Sequence, residues 1–100
     1  GGNFAQNTSV EYQIPNFDYD IWYTSANIIL PDIGTNVGQI MFIKNTNTAA
    51  NVRITPYTGA TIDGESTVTL SHGAHAQGGI MIQATSATTW YILSHTGTLT

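Results

Sequence analysis

No cysteine occurs in this chain, which removes disulfide frameworks and thiolate chemistry from consideration. Charge is nearly as scarce. Charged residues make up 8% of the sequence, against about 25% in ordinary soluble domains. Lys44 and Arg53 are the only cations, facing six carboxylates. Two cations cannot build the positive footprint that phosphate backbones require, so nucleic acid is excluded as a partner. Anionic membrane surfaces are excluded on the same ground. No apolar run approaches the roughly eighteen residues of a membrane span, so no membrane insertion is expected. The Gly-x-Ser-x-Gly nucleophile elbow and the Asp-x-Asp-x-Asp-Gly calcium loop are both missing. Helical periodicity is missing too.

What remains is β chemistry. Ten aromatics and many Ile, Val and Thr among 100 residues are enough to fold one domain with one core. Five β-prone runs follow one another: Gln39 to Lys44, Asn51 to Thr55, Thr67 to Leu70, Ile80 to Gln83 and Thr88 to Leu93. Ile21 to Tyr23 and Ile28 to Leu30 form an earlier pair. Turn chemistry separates them: Pro31 to Asn36, Asn45 to Ala50, Pro56 to Gly59, His72 to Gly79, and Asp63-Gly64. Both central positions of a type I′ turn need positive φ, which Asp-Gly supplies. The rhythm predicts a single all-β domain over residues 18–100, antiparallel, with a β-sandwich or jelly-roll-like arrangement. Residues 1–17 are polar, interrupted by Pro15, and read as an N-terminal arm or a lead-in from an upstream shaft. Gly1-Gly2 and the ending Thr96 to Thr100 read as the ends of a domain excised from a longer protein.

Alternation leaves one face of a strand polar when only one side is buried. Ile40, Met41, Phe42 and Ile43 are apolar on both faces. One side packs on the subunit core. The other needs a neighbouring chain or, in a monomer, a second covering layer. The strand from Trp90 to Leu93 is two-faced in the same way, with Trp90 assigned to the core. Low charge leaves little repulsion between identical chains.

Taken in order, several segments carry a resemblance. They are Met41-Phe42-Ile43-Lys44-Asn45, Asn51 to Pro56, Gly59-Ala60-Thr61-Ile62-Asp63-Gly64, Val68-Thr69-Leu70 and Thr89-Trp90-Tyr91-Ile92-Leu93. The series resembles small β-structured domains of phage tail fibres and of fibre or capsid-surface proteins of large double-stranded DNA viruses. It covers residues 38–93 and carries no catalytic motif. The resemblance implies a homotrimeric, non-enzymatic structural element at the virion surface, often a head that touches a host receptor, frequently a glycan. Ile40, Met41, Phe42 and Ile43 are then the expected oligomer interface. The competing class is a monomeric carbohydrate-binding module excised from a secreted protein.

Candidate chemistry follows from residue types. Exposed loops on a rigid β scaffold carry ligand contacts. Tyr57, after Pro56 in a turn, is the expected stacking residue, with Asn47 and Gln77 as hydrogen-bonding partners. His72 and His75 are spaced His-x-x-His, without a third ligand nearby in sequence, and read as loop histidines; no metal or other cofactor is expected. Asp18 and Asp20 lie roughly 6.7 Å apart if on one strand face, near the roughly 5.5 Å of a retaining glycosidase pair. Nothing else supports that pairing. Asn7-Thr8-Ser9 matches a glycosylation sequon.

Overall fold

The computed structural model of the chain describes residues 3–8, 10–74 and 77–100. Among them are ten strands and no helix: β1 (Phe4–Asn7), β2 (Tyr12–Gln13), β3 (Ile21–Thr24), β4 (Ile28–Ile29), β5 (Ile40–Asn45), β6 (Val52–Thr55), β7 (Thr61–Ile62), β8 (Val68–Leu70), β9 (Gly79–Ser86) and β10 (Thr89–Thr96). They form a six-stranded sheet of order β1-β3-β5-β9-β10-β7 and a four-stranded sheet of order β2-β4-β6-β8.

From β1 to β8 the chain changes sheet at every step. Strands β1, β3 and β5 run parallel in the larger sheet, and β2, β4 and β6 run parallel in the smaller one. The path is therefore a flattened coil, out along one sheet and back along the other. Parallel neighbours need a crossover connection; here each crossover contains a strand of the opposite sheet. The winding then stops. β9 runs antiparallel to β5, and β10 antiparallel to β9. β7 lies parallel on β10 at the edge, and β8 runs antiparallel on β6.

This corrects the antiparallel expectation: both sheets are mixed. Local alternation marks where a strand lies but carries no sign of its partner's direction. The Asp63-Gly64 turn is present, with φ of 50° and 79°. It closes only the short Ile62↔Glu65 bridge, so it joins no long antiparallel pair. Residues 4–13, read as part of a lead-in, supply the first strand of each sheet.

Stacking of the coil aligns side chains into rows. Phe4, Ile21 and Phe42 are in register, as are Ala5, Trp22 and Ile43, then Gln6, Tyr23 and Lys44, then Asn7, Thr24 and Asn45. The second row points into a single core shared by both sheets. Trp22, Met41, Ile43, Ile82 and Trp90 come from the larger sheet, and Ile28, Ile54, Val68 and Leu70 from the smaller. Ile14, Leu30 and Ile33 complete the core from the crossovers. Each such side chain contributes roughly 1.5–3 kcal/mol by leaving water.

Candidate functional site

Strand β5 shows how the larger sheet divides its residues. Met41 and Ile43 are 0% and 1% exposed, whereas Ile40 and Phe42 are 39% and 43% exposed. The expected interface of Ile40, Met41, Phe42 and Ile43 is thus split by the pleat: two residues belong to the core of their own chain, and Ile40 and Phe42 remain for a partner. Phe42 lies beside Ile21 and, across the antiparallel pairing, beside Met81. Phe4 and Tyr23 meet edge-on, with ring centroids 5.7 Å apart.

Ile21, Tyr23, Phe42 and Met81 line an apolar groove of about 520 Å³ on the outer face, which Ser94 and Thr96 also border. Two local features open it. Gly79 stands opposite Lys44 and brings no side chain, and a register shift between Ile92 and Ser94 bulges β10. The Lys44 ammonium donates to the Gln77 carbonyl at 2.9 Å, so the groove's one lysine is tied to the neighbouring loop.

The coil has two lateral edges, one at each end of its strands. At the first, β1, β3 and β5 turn over into β2, β4 and β6. Here the row of Asn7, Thr24 and Asn45 is bonded internally. The Asn7 amide donates to the Val10 carbonyl and to the Thr24 hydroxyl. The Thr24 hydroxyl donates to the Ala26 carbonyl at 2.7 Å. Asn45 is fully buried, and its amide reaches the carbonyls of Ala50, Leu70 and Ser71 while its side-chain oxygen accepts from Asn47 N–H. Asn47, expected to contact a ligand, spends its own side chain on Ser25, Ala49 and Ala50. His72 Nδ1 sits 2.7 Å from the Asn51 side-chain oxygen; His75 lies outside the described residues, as does Ser9 of the sequon.

Gln77 lies at this same edge, in the loop from β8 to β9, while Tyr57, 41% exposed, follows the far end of β6. The structure therefore places Asn47 and Gln77 at one end of the strands and Tyr57 at the other, and the three do not form one site.

At the second edge the chain returns from the smaller sheet to the larger. The loops 14–20 and 30–39 lie side by side there and flank an open polar groove of about 420 Å³. Asn16, Phe17 and Asp18 line it from the first loop, with Asp32, Asn36 and Gln39 from the second. Sequence reading passed over this groove. Its local signal was an Asn-x-Asp and an Asp-x-Gly, each a side-chain-to-backbone turn: Asn16 Oδ1 accepts from Asp18 N–H at 3.0 Å, and Asp32 Oδ1 from Gly34 N–H at 3.2 Å. Asp18 lines the groove and Asp20 does not.

Among the described residues, no group of three or more His, Asp or Glu is placed to hold a metal ion. The ion pair of Arg53 with Glu11, at 3.5 Å, is half-exposed on both sides and contributes little. No family model, curated protein or solved structure matches the chain.

Proposed function

We propose that this chain is a structural domain of a viral or phage fibre or virion surface, which assembles as a homotrimer and presents its loops to a host-cell glycan. The two sheets around one core are read as the layers of a β-sandwich. The observation that supports assembly is the outer face of the six-stranded sheet. Phe4, Tyr23, Ile40, Phe42 and Tyr91 are all 38–52% exposed there, on four strands of the same sheet. Scattered exposed hydrophobics are ordinary, but a contiguous patch marks an interaction surface.

Six strands about 4.8 Å apart and on average about 18 Å long span on the order of 500 Å² before surface relief is counted. That approaches the roughly 800 Å² per partner of a stable interface. No carboxylate lies within these strands, and Lys44, bonded to the Gln77 carbonyl, is their one cation, so like-charge repulsion between copies is small. The resemblance of residues 38–93 to fibre domains supports the virion setting, and no reaction is assigned.

Light scattering at micromolar concentration tests the reading. The expected mass is about three times the 10.7 kDa of one chain. Phe42→Asp should give a monomer that still melts cooperatively, because Phe42 is outside the core. A monomeric wild-type chain sinks the fibre reading. It would favour instead a monomeric carbohydrate-binding module, for which the Tyr23 and Phe42 rings beside the Ser94 and Thr96 hydroxyls form a sugar-stacking surface.

A further inference from the structure

The polar groove at the second edge carries chemistry that the outer face does not. We propose that it is a binding site for neutral saccharides, lined by Asp18, Asp32, Asn36 and Gln39 and selective against acidic sugars. The inference deepens the glycan-attachment reading by naming its site, and to that extent rests on it.

Three observations carry it. First, the groove's volume of about 420 Å³ falls within the roughly 300–1,000 Å³ of small-molecule sites. Second, apart from Asn16, whose oxygen is bonded to Asp18 N–H, most of its hydrogen-bonding groups are exposed and unspent. Among the described residues, the Asp18 carboxylate and the Asn36 and Gln39 amides bond no other protein group, and Asp32 uses one oxygen only. Carboxylates and amides are planar, two-headed groups, and adjacent hydroxyls of a pyranose ring match that spacing. At the opposite edge the amides of Asn45 and Asn47 have the same chemistry but are consumed by the fold.

Third, the walls are held before any ligand arrives. Asn36 N–H donates to the Ile33 carbonyl at 2.8 Å and the Asn3 amide to the Asp18 carbonyl at 2.9 Å. Ile33 is 1% exposed and anchors the second loop in the core. Phe17, at the base of the first loop, packs on buried Trp90 with ring centroids 6.0 Å apart. Little ordering is then required on binding.

Selectivity follows from charge. Two carboxylates line the groove and neither cation of the chain does. A sugar carboxylate or phosphate would be placed against like charge without a partner, whereas neutral hydroxyls donate to these oxygens.

The test is a ¹H–¹⁵N titration of the labelled chain with galactose, glucose and mannose, and separately with N-acetylneuraminic acid and with calcium chloride. A neutral hexose should give saturable shifts confined to residues 15–18 and 32–39, with a dissociation constant of about 1 mM. N-acetylneuraminic acid should give none. Asp18→Asn with Asn36→Ala should weaken the hexose by about tenfold while the spectrum of the sheets is unchanged; Asn36→Ala alone, which leaves every backbone bond in place, should do so in part.

The proposal is overturned if no hexose gives saturable shifts, if the shifts centre on Tyr23 and Phe42, if the acidic sugar binds equally, or if only calcium perturbs these loops. Failure of the assembly reading is distinguishable, because it appears as a monomer mass with the hexose shifts intact.

Discussion

Where the coil passes from the six-stranded to the four-stranded sheet, the side chains of Asn7, Asn27, Asn45, Asn47 and Asn51 all bond neighbouring backbone. Where it passes back, the side chains of Asp18, Asn36 and Gln39 line a groove and bond no other protein group among the described residues. The residue types are nearly the same. For Asn45 the difference lies in burial, whereas Asn51 is exposed and bonded all the same. A fully buried amide such as that of Asn45 must be satisfied internally or forfeit its hydration. An amide on a longer exposed loop is satisfied by water and can exchange that water for a ligand. One edge therefore spends its amides on the fold, and the other leaves them to solvent.

Asn45→Ala should break the closed edge most severely. It removes the donor to three carbonyls and the acceptor of Asn47 N–H inside a buried site. The expected loss is about 3 kcal/mol, read as a lowered urea midpoint with an unchanged slope. A loss below about 0.5 kcal/mol, the range of ordinary surface substitutions, would mean that this edge is not held by its asparagines.

Gly78→Ala probes the same edge through packing. A Cβ at position 78 would stand 2.8 Å from Ser71 N and 3.0 Å from Leu70 Cβ. Neither is the far end of a flexible side chain, so backbone must shift. Destabilisation by about 2 kcal/mol is expected from thermal melting. A neutral result would show that the loop from β8 to β9 can move off β8 freely.

The smallest effect belongs to the open edge. Asn36→Ala should change stability by less than about 0.5 kcal/mol, because its side chain bonds no other protein group among the described residues. Equal losses for Asn36→Ala and Asn45→Ala would erase the contrast between the two edges.

The lengths of β5, β6 and β8 were legible because their causes are local. A continuous apolar run from Ile40 to Ile43 and apolar alternation from Val52 to Ile54, bounded by Asn and Pro, mark extended chain wherever its partner lies. Strand β1 was not legible. Phe4-Ala5-Gln6-Asn7 has weak alternation and becomes a strand by pairing with Ile21 to Thr24. Strand β7 is similar, two residues held by β10. Which loop amides bond the fold was not legible. Loop amides were expected to contact ligand, yet the side chain of Asn47 is consumed by its own turn, and the amides left available are those of Asn36 and Gln39.

Composition, alternation and turn residues by themselves determined that this protein is a β domain, that Trp90 is in the core and that Asp63-Gly64 turns. Each of these depends on a residue and its near neighbours in sequence. Only the tertiary structure decided that Phe4, Ile21 and Phe42 share one outer row, that Asn7, Thr24 and Asn45 share an inward one, and that loops 14–20 and 30–39 flank a groove. Those juxtapositions join residues far apart in sequence through backbone hydrogen bonds that every residue type can make. Parallel stacking was therefore set by how the whole coil closes over one core, a balance that no short segment carries.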